Sequence, residues 1–204
     1  MAQIYYIGGS PSSGKSTVTE IISKKNNLYY FKVDNYLDEY IRKAVKQGKP
    51  VCKRIEAYTD EQKWMRSPAE QNAEEQEMYR EVFELVQRDM KKVKTEKDMI
   101  VEGAALLPQI MKELGVDSKY YVNLCPSSDF QISQYKDKSW VPYVLGSCAD
   151  KEKAFENWMQ RDILFAEDMR NLCFEYGYKS IDNDGVISID ALVKQITEHF
   201  GLSC

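Results

Sequence analysis

Long hydrophobic runs are missing from this chain of 204 residues. Its longest apolar stretches span only a few positions, against the roughly 20 that a membrane-crossing helix needs. Residues 1–7 (MAQIYYI) lack a basic flank followed by a long apolar stretch, so a signal peptide is not expected, whereas a cytoplasmic protein with no membrane partner is. An excess of positive charge is missing as well: 28 Lys and Arg stand against 32 Asp and Glu, for a net charge of −4. A duplex nucleic-acid binder neutralises many phosphates with cations, so no nucleic-acid partner is expected. Paired cysteines are also missing. Cys52, Cys125, Cys148, Cys173 and Cys204 are scattered and form no C-x-x-C; five reduced thiols are expected in place of a disulfide framework or a zinc site. The single histidine, His199, reads as a surface residue of a terminal helix. With 10 Gly, 6 Pro, 43% hydrophobic and 29% charged residues, collagen-like, low-complexity and disordered chains are excluded. What remains is a globular protein of one-domain size.

Hydrophobic periodicity divides it. Residues 3–7 (QIYYI) form an expected buried strand cut off by Gly8-Gly9, and a helical pattern carrying Val18, Ile21 and Ile22 starts at Lys15. Residues 28–33 (LYYFKV) give a second strand, and Tyr36, Leu37, Tyr40, Ile41, Ala44 and Val45 a helix that stops at Gln47-Gly48-Lys49-Pro50. Residues 51–67 show no clean period. Pro68 opens a long helix with Met78, Val82, Leu85 and Val86 on one stripe. Strands are expected at 99–101, 120–124 and 178–181, each followed by a helix. Strands alternating with helices predict an α/β fold with a parallel sheet covered on both faces.

Residues 9–16, Gly9-Ser10-Pro11-Ser12-Ser13-Gly14-Lys15-Ser16, match G-x-x-x-x-G-K-[ST] in full, between an expected strand and an expected helix. Glycines let such a loop curl until successive backbone N–H groups converge on phosphate oxygens, and the helix N-terminus adds its partial positive charge. Lys15 would bridge the outer phosphates, Ser16 would ligate magnesium, and Thr17 would help hold the α-phosphate. The pattern predicts binding of a nucleoside triphosphate. No N-K-x-D segment is present to read guanine, and 204 residues leave no room for the extra domain of a large motor.

Two carboxylates close strands at the carboxyl edge, where ligands of open α/β sheets collect: Asp34 in FKVDNY and Glu102 in MIVEG. With the phosphate loop, VDNY and IVEGAALLP resemble the small-molecule P-loop kinases, the group of nucleoside monophosphate, uridine and shikimate kinases, with a flavour of cytidylate and phosphoglycerate kinase-type ATP-binding proteins. The resemblance spans most of the chain at the level of motifs. It implies a P-loop NTP hydrolase fold with strand order 2-3-1-4-5, ATP and Mg²⁺ as cofactors, an acceptor-binding insertion at about 35–97 and a lid at about 126–161 within one domain (1–204). It also implies that Asp34 lies beside the acceptor hydroxyl and that Glu102 serves the metal. From the residues alone, Asp34 is a general base or a helix N-cap, and Glu102 a metal-shell carboxylate or a solvated strand end.

Residues 150–176 predict a long amphipathic helix with Phe155, Trp158, Phe165, Met169, Leu172 and Tyr176 along one stripe. Arg161 falls on that stripe and needs a partner there, which a triphosphate would supply; otherwise its stem packs on Trp158 and its head reaches solvent or the neighbourhood of Asp162. Lys136 and Lys138 are weaker lid candidates. Arg42, Arg54 and Arg66 lie in the insertion and are acceptor-binding candidates if the acceptor is anionic, or plain surface arginines. Residues 182–191 (DNDGVISIDA) imitate part of a calcium loop but carry Ala191 where the bidentate Glu belongs, so a turn is expected. Two functions stay open: a kinase acting on a small hydroxyl- or phosphate-bearing acceptor, as a monomer or homodimer, and a nucleotide-binding regulator that hydrolyses slowly and transfers to nothing.

Overall fold

Five strands pair side by side and all run parallel in the order β2-β3-β1-β4-β5: β1 (Ile4–Gly9), β2 (Tyr29–Lys32), β3 (Met99–Glu102), β4 (Tyr121–Pro126) and β5 (Lys179–Asn183). The computed structural model describes residues 2–136 and 138–203; Cys204 lies outside the described residues. The expected fold class and strand order are those observed. Strand boundaries shift slightly: Val33, expected to end the second strand, belongs to a one-turn 3₁₀ helix (Val33–Tyr36), and Tyr178 precedes β5.

Side-chain alternation splits the core into two layers, as a sheet covered on both faces requires. Tyr5, Ile7, Ile100, Val122, Leu124 and Ile181 pack with Val18 and Ile22 of α1 (Lys15–Lys25) and with Leu192, Ile196 and Phe200 of α10 (Ile189–Phe200). The opposite face, with Phe31, Met99, Val101 and Cys125, packs against α2 (Leu37–Lys46), α5 (Pro68–Lys92), α6 (Pro108–Glu113) and α9 (Lys151–Tyr176). Glu102 alternates with Ile100 and so points to the α1 face, level with Lys32 on β2 and Ile7 on β1. This register places the functional edge.

Residues 51–67, which showed no period, hold two short helices, α3 (Pro50–Ala57) and α4 (Asp60–Trp64). Neither is long enough to display a periodic stripe, but each start is fixed locally. Pro50 occupies the first turn of α3, whose leading N–H groups at Val51 and Cys52 donate to the Glu81 carboxylate at 2.9 and 2.8 Å. Thr59 and Gln62 form a capping box on α4, as Ser67 and Glu70 do on α5. A third cluster joins Trp64 to Tyr135 of α7 (Ser128–Lys136), to Val141 of α8 (Val141–Val144), and to Leu145, Cys148, Ala154, Trp158 and Met159. Cys52, Cys125, Cys148 and Cys173 are buried and unpaired. His199 is no free surface residue: its Nε2 lies 3.0 Å from the carbonyls of both Ser118 and Tyr121, so it donates between them and pins the end of α10. Among the described residues, no helix is long and apolar enough to cross a membrane.

Candidate functional site

Backbone geometry builds the phosphate loop. Gly9 pairs with Leu124 of β4, and a Cβ at Gly9 would sit 2.0 Å from the Leu124 carbonyl oxygen, so only glycine lets the chain leave the sheet there. Ser12 (φ 59°) and Gly14 (φ 87°) then turn through the left-handed region and curl the loop. Among the described residues, the N–H groups from Ser12 to Thr17 donate to no acceptor in the chain, and the first turn of α1 holds no acidic residue to offset its positive end. The Ser13 hydroxyl is buried without a hydrogen bond. A concave run of unpartnered donors is what an anion fills. Lys15 is almost wholly buried and donates from Nζ to the Ser10 carbonyl at 2.8 Å. Ser16 and Thr17 stand on the first turn of α1, Thr17 exposed.

Glu102 is completely buried. It accepts a 2.8 Å hydrogen bond from the Tyr30 hydroxyl and lies 3.3 and 3.4 Å from Ser16 Oγ. The expectation of a solvated strand end does not hold, because α1 and β2 close over the carboxylate. Burial pushes its pKa up and the neighbouring Asp34 charge adds to that; Lys15 and Tyr30 oppose it. Asp34 is exposed on the 3₁₀ turn, and its Oδ1 accepts the Ala104 N–H at 3.2 Å. It caps no helix: Lys32 precedes the turn, Tyr36 precedes α2, and neither makes a side-chain cap. A Cβ on Gly103 would lie 3.0 Å from Asp34 Oδ1 and 2.7 Å from Val33 Cβ, so Gly103 is what lets the two strand ends approach.

One turn beyond Asp34 a cavity of about 260 Å³ begins at Leu37 and Asp38. Its walls come from α3 (Ile55, Tyr58), α4 (Lys63, Trp64), Arg66, α5 (Gln71, Glu74, Glu75, Met78, Tyr79), Val144 and Arg161. Most of its charges are mutually satisfied. Buried Glu74 accepts from Arg54 Nε at 2.5 Å, Arg66 Nη2 at 2.6 Å and the Tyr58 hydroxyl at 3.1 Å, and Arg66 stacks 4.4 Å over the Tyr58 ring. Burial pushes the Glu74 pKa up, but the two arginines outweigh it and hold it below the usual value. Arg161 is buried over the Trp64 ring, with Nη1 2.6 Å from Glu75 Oε1 and Nε 2.6 Å from Asp162 Oδ1. The second contact is a charge contact without hydrogen-bond alignment, since adjacent helical residues do not face one another. Burial raises the Asp162 pKa despite that arginine.

The arginine expected on the apolar stripe of α9 is therefore core-facing, and its partners are carboxylates of the chain itself. Arg161 also adjoins the phosphate loop, because the Asp162 carbonyl accepts Ser10 Oγ at 3.4 Å. Arg66 lines the cavity. Arg42 does not; it is exposed on α2, and Arg54 reaches the site only through Glu74. Lys136 and Lys138 are exposed and line an outer groove with Phe155. The expected turn is present at residues 184–188, between β5 and α10: Asp184 Oδ1 accepts the N–H groups of Val186 and Ile187, and Ser188 caps α10.

No family model matches the chain, and no curated protein resembles it closely in sequence. Solved structures do resemble it. A gluconokinase from Sinorhizobium meliloti superposes over 98% of this chain and 91% of its own, with a TM-score of 0.51 at 15% identity. A shikimate kinase from Bacteroides thetaiotaomicron superposes over 98% of this chain and 99% of its own, with a TM-score of 0.52 at 17% identity. This is the fold of the small-molecule P-loop kinases.

Within that P-loop kinase fold, several site residues escaped sequence reasoning. Asn183 donates to the Ser13 carbonyl at 3.0 Å and ties the loop to β5; it sat inside the calcium-like decoy. Tyr30 was legible only as a strand residue on the same face as Glu102. Lys63, Glu74 and Glu75 come from stretches whose charges look like any solvated helix face. The capping boxes that start α4 and α5 were the one available signal for where those stretches turn.

Proposed function

We propose that this chain is an ATP-dependent phosphotransferase that moves the γ-phosphate of magnesium-ATP to a small hydroxyl-bearing acceptor. The observation that carries the proposal is a juxtaposition. A loop of unpartnered backbone donors lies on one side of Asp34, and a cavity lined mainly by residues 37–79 lies on the other; Arg161 lines that cavity, and its neighbour Asp162 accepts a hydrogen bond from Ser10 of the loop through its carbonyl. A protein that only sensed nucleotide would have no need of the second element.

In this reading the loop from Gly9 to Thr17 holds the triphosphate, and Lys15 leaves the Ser10 carbonyl for the phosphate oxygens. The residues fit magnesium: Ser16 Oγ and the buried Glu102 carboxylate face each other, and an ion that keeps most of its waters and adds phosphate oxygens needs few protein ligands. Bound there, it would neutralise charge on the transferred group. The acceptor hydroxyl sits at Asp34, which takes its proton as the oxygen attacks the γ-phosphorus; the bond to the bridging oxygen breaks and ADP leaves. Residues 35–97 form the acceptor part, and 126–161 with Arg161 the lid. Arg161 is held now by Glu75 and Asp162, and turns toward the phosphoryl group when the triphosphate arrives.

The test is ADP release from magnesium-ATP with pooled nucleosides, nucleoside monophosphates, sugars and small hydroxy acids. Stimulation by one pool above the acceptor-free rate is the expected outcome. A rate that no pool changes, with ATP bound, contradicts transfer and leaves a slow hydrolase.

A further inference from the structure

Among the cations lining the cavity, Lys63 is set apart. Arg66 is taken by Glu74 and stacked on Tyr58, Arg161 is taken by Glu75 and Asp162, and Gln71 donates to the carbonyls of Trp64 and Arg66. Among the described residues, no carboxylate comes within ion-pair distance of Lys63 Nζ, which lies 4.9 Å over the Trp64 ring. The lysine is fixed where it stands: the Thr59–Gln62 capping box starts its helix, and Trp64 Nε1 donates to the Val144 carbonyl at 3.1 Å on the far wall. Burial lowers its pKa, and Arg161 lowers it further; Glu75, Asp60 and Asp38 act the other way without reaching contact. A mostly enclosed ammonium with only an aromatic face for company is an unfavourable arrangement that an anion relieves.

We infer that the acceptor is a compact polyhydroxylated carboxylic acid whose carboxylate pairs with Lys63 while a hydroxyl reaches Asp34. The inference rests on the kinase reading above and names its substrate class. Three observations select a carboxylate over a phosphate. One free ammonium matches one negative charge. Each guanidinium that could grip an acceptor phosphate through two oxygens already has a nitrogen on Glu74 or Glu75, so neither offers a complete free fork to the acceptor. Those same carboxylates would face a dianion across the cavity. Size agrees: about 260 Å³ lies below the roughly 300–1,000 Å³ of most small-molecule sites, which leaves little room for a base, a sugar and a phosphate together. Leu37, Ile41, Ile55 and Met78 supply the apolar wall against which a carbon skeleton packs, and the Asp38 carboxylate and the Gln71 side-chain carbonyl offer acceptors to its hydroxyls.

The experiment pairs each acid with its uncharged counterpart: glycerate with glycerol, gluconate with glucose, quinate with inositol. A third arm holds glycerol 3-phosphate and nucleoside monophosphates. ADP release reports transfer, and tryptophan fluorescence reports binding on its own, because Trp64 lines the cavity. In the wild type one acid binds and is phosphorylated while its neutral counterpart is not. Lys63→Met raises the KM for that acid about ten-fold or more with kcat little changed, and Lys63→Arg restores most of it. Equal use of the uncharged compounds, a preference for the phosphate arm, or an unchanged KM in Lys63→Met overturns the inference and leaves the kinase reading standing. Binding of an acid, lost in Lys63→Met but with no ADP released, supports the inference and overturns transfer. If no acid perturbs the fluorescence or the rate, the inference falls.

Discussion

The two sides of Asp34 recognise their ligands by different means. On the phosphate side the working groups are backbone N–H donors, and their positions follow from φ angles at Gly9, Ser12 and Gly14. On the acceptor side they are side chains from several segments: Arg161 of α9 pairs with Glu75 of α5, Arg66 pairs with Glu74, and Lys63 lies beside Trp64. Backbone recognition demands particular residue types at fixed spacing and therefore writes itself into the sequence. Side-chain recognition asks only that complementary groups meet after folding, and it can draw them from anywhere.

The contrast is sharpest where a side chain is added to the phosphate side. Gly9→Ala places its Cβ against the Leu124 carbonyl, a backbone atom in the middle of the sheet that cannot step aside. With the positive φ added, a loss of about 3 kcal/mol or more is expected, read as a fall in the urea midpoint or as insoluble protein. A variant as stable as the wild type would mean that β1 and β4 are less tightly joined than the register indicates.

The acceptor side predicts a smaller effect that is repaired by a second change. Glu74→Gln leaves Arg54 and Arg66 without their shared carboxylate. Arg54 is half-exposed and recovers water, so a loss of about 2 kcal/mol is expected rather than that of a fully buried pair. Adding Arg66→Met should cost less than the sum of the two single changes, by urea denaturation. Additive losses would show that the pair does not act as a unit.

How much of this was legible follows the same division. The phosphate loop and the long helices at Pro68 and Lys151 were readable, because a motif or a period of 3.6 marks each, whereas the strand order followed only from the resemblance to the P-loop kinases. The helices at 50–57 and 60–64 were not, being too short for a period; their starts are marked only by Pro50 in the first and by the Thr59–Gln62 capping box in the second. Arg161 was legible as a misplaced charge on an apolar stripe; its partner Glu75 was not, since Glu75 sits among Glu74 and Glu77 with nothing to single it out. The same blindness hid Lys63. A partly enclosed lysine and a solvated one look alike until the opposite wall of the cavity is in place.

Two of the buried carboxylates, Glu102 and Glu74, separate the regions by pH. Glu102 has its folded pKa raised, so the stability it contributes is present in acid and is lost as pH rises through that folded value. Glu74 has its folded pKa lowered, so its contribution is present above the unfolded value and is lost as pH falls. Glu102→Gln should therefore stabilise the nucleotide-free protein at neutral pH, by an amount on the order of 1 kcal/mol, while raising the magnesium concentration needed for activity. A thermal melt across pH 5 to 9 checks the first part. Destabilisation by Glu102→Gln at neutral pH would place the carboxylate among the fold's supports and remove it from the functional site.

Asp34 is where the two regions meet, and Asp34→Asn tests that meeting most directly. Measured together on one preparation, ATP affinity should stay within about two-fold of wild type, because the loop is built from backbone. Acceptor-stimulated ADP release should fall about 10²- to 10⁴-fold, the range of a lost general base. Unchanged release with intact ATP binding would contradict the account, and would leave the phosphate loop and the cavity as neighbours without a shared reaction.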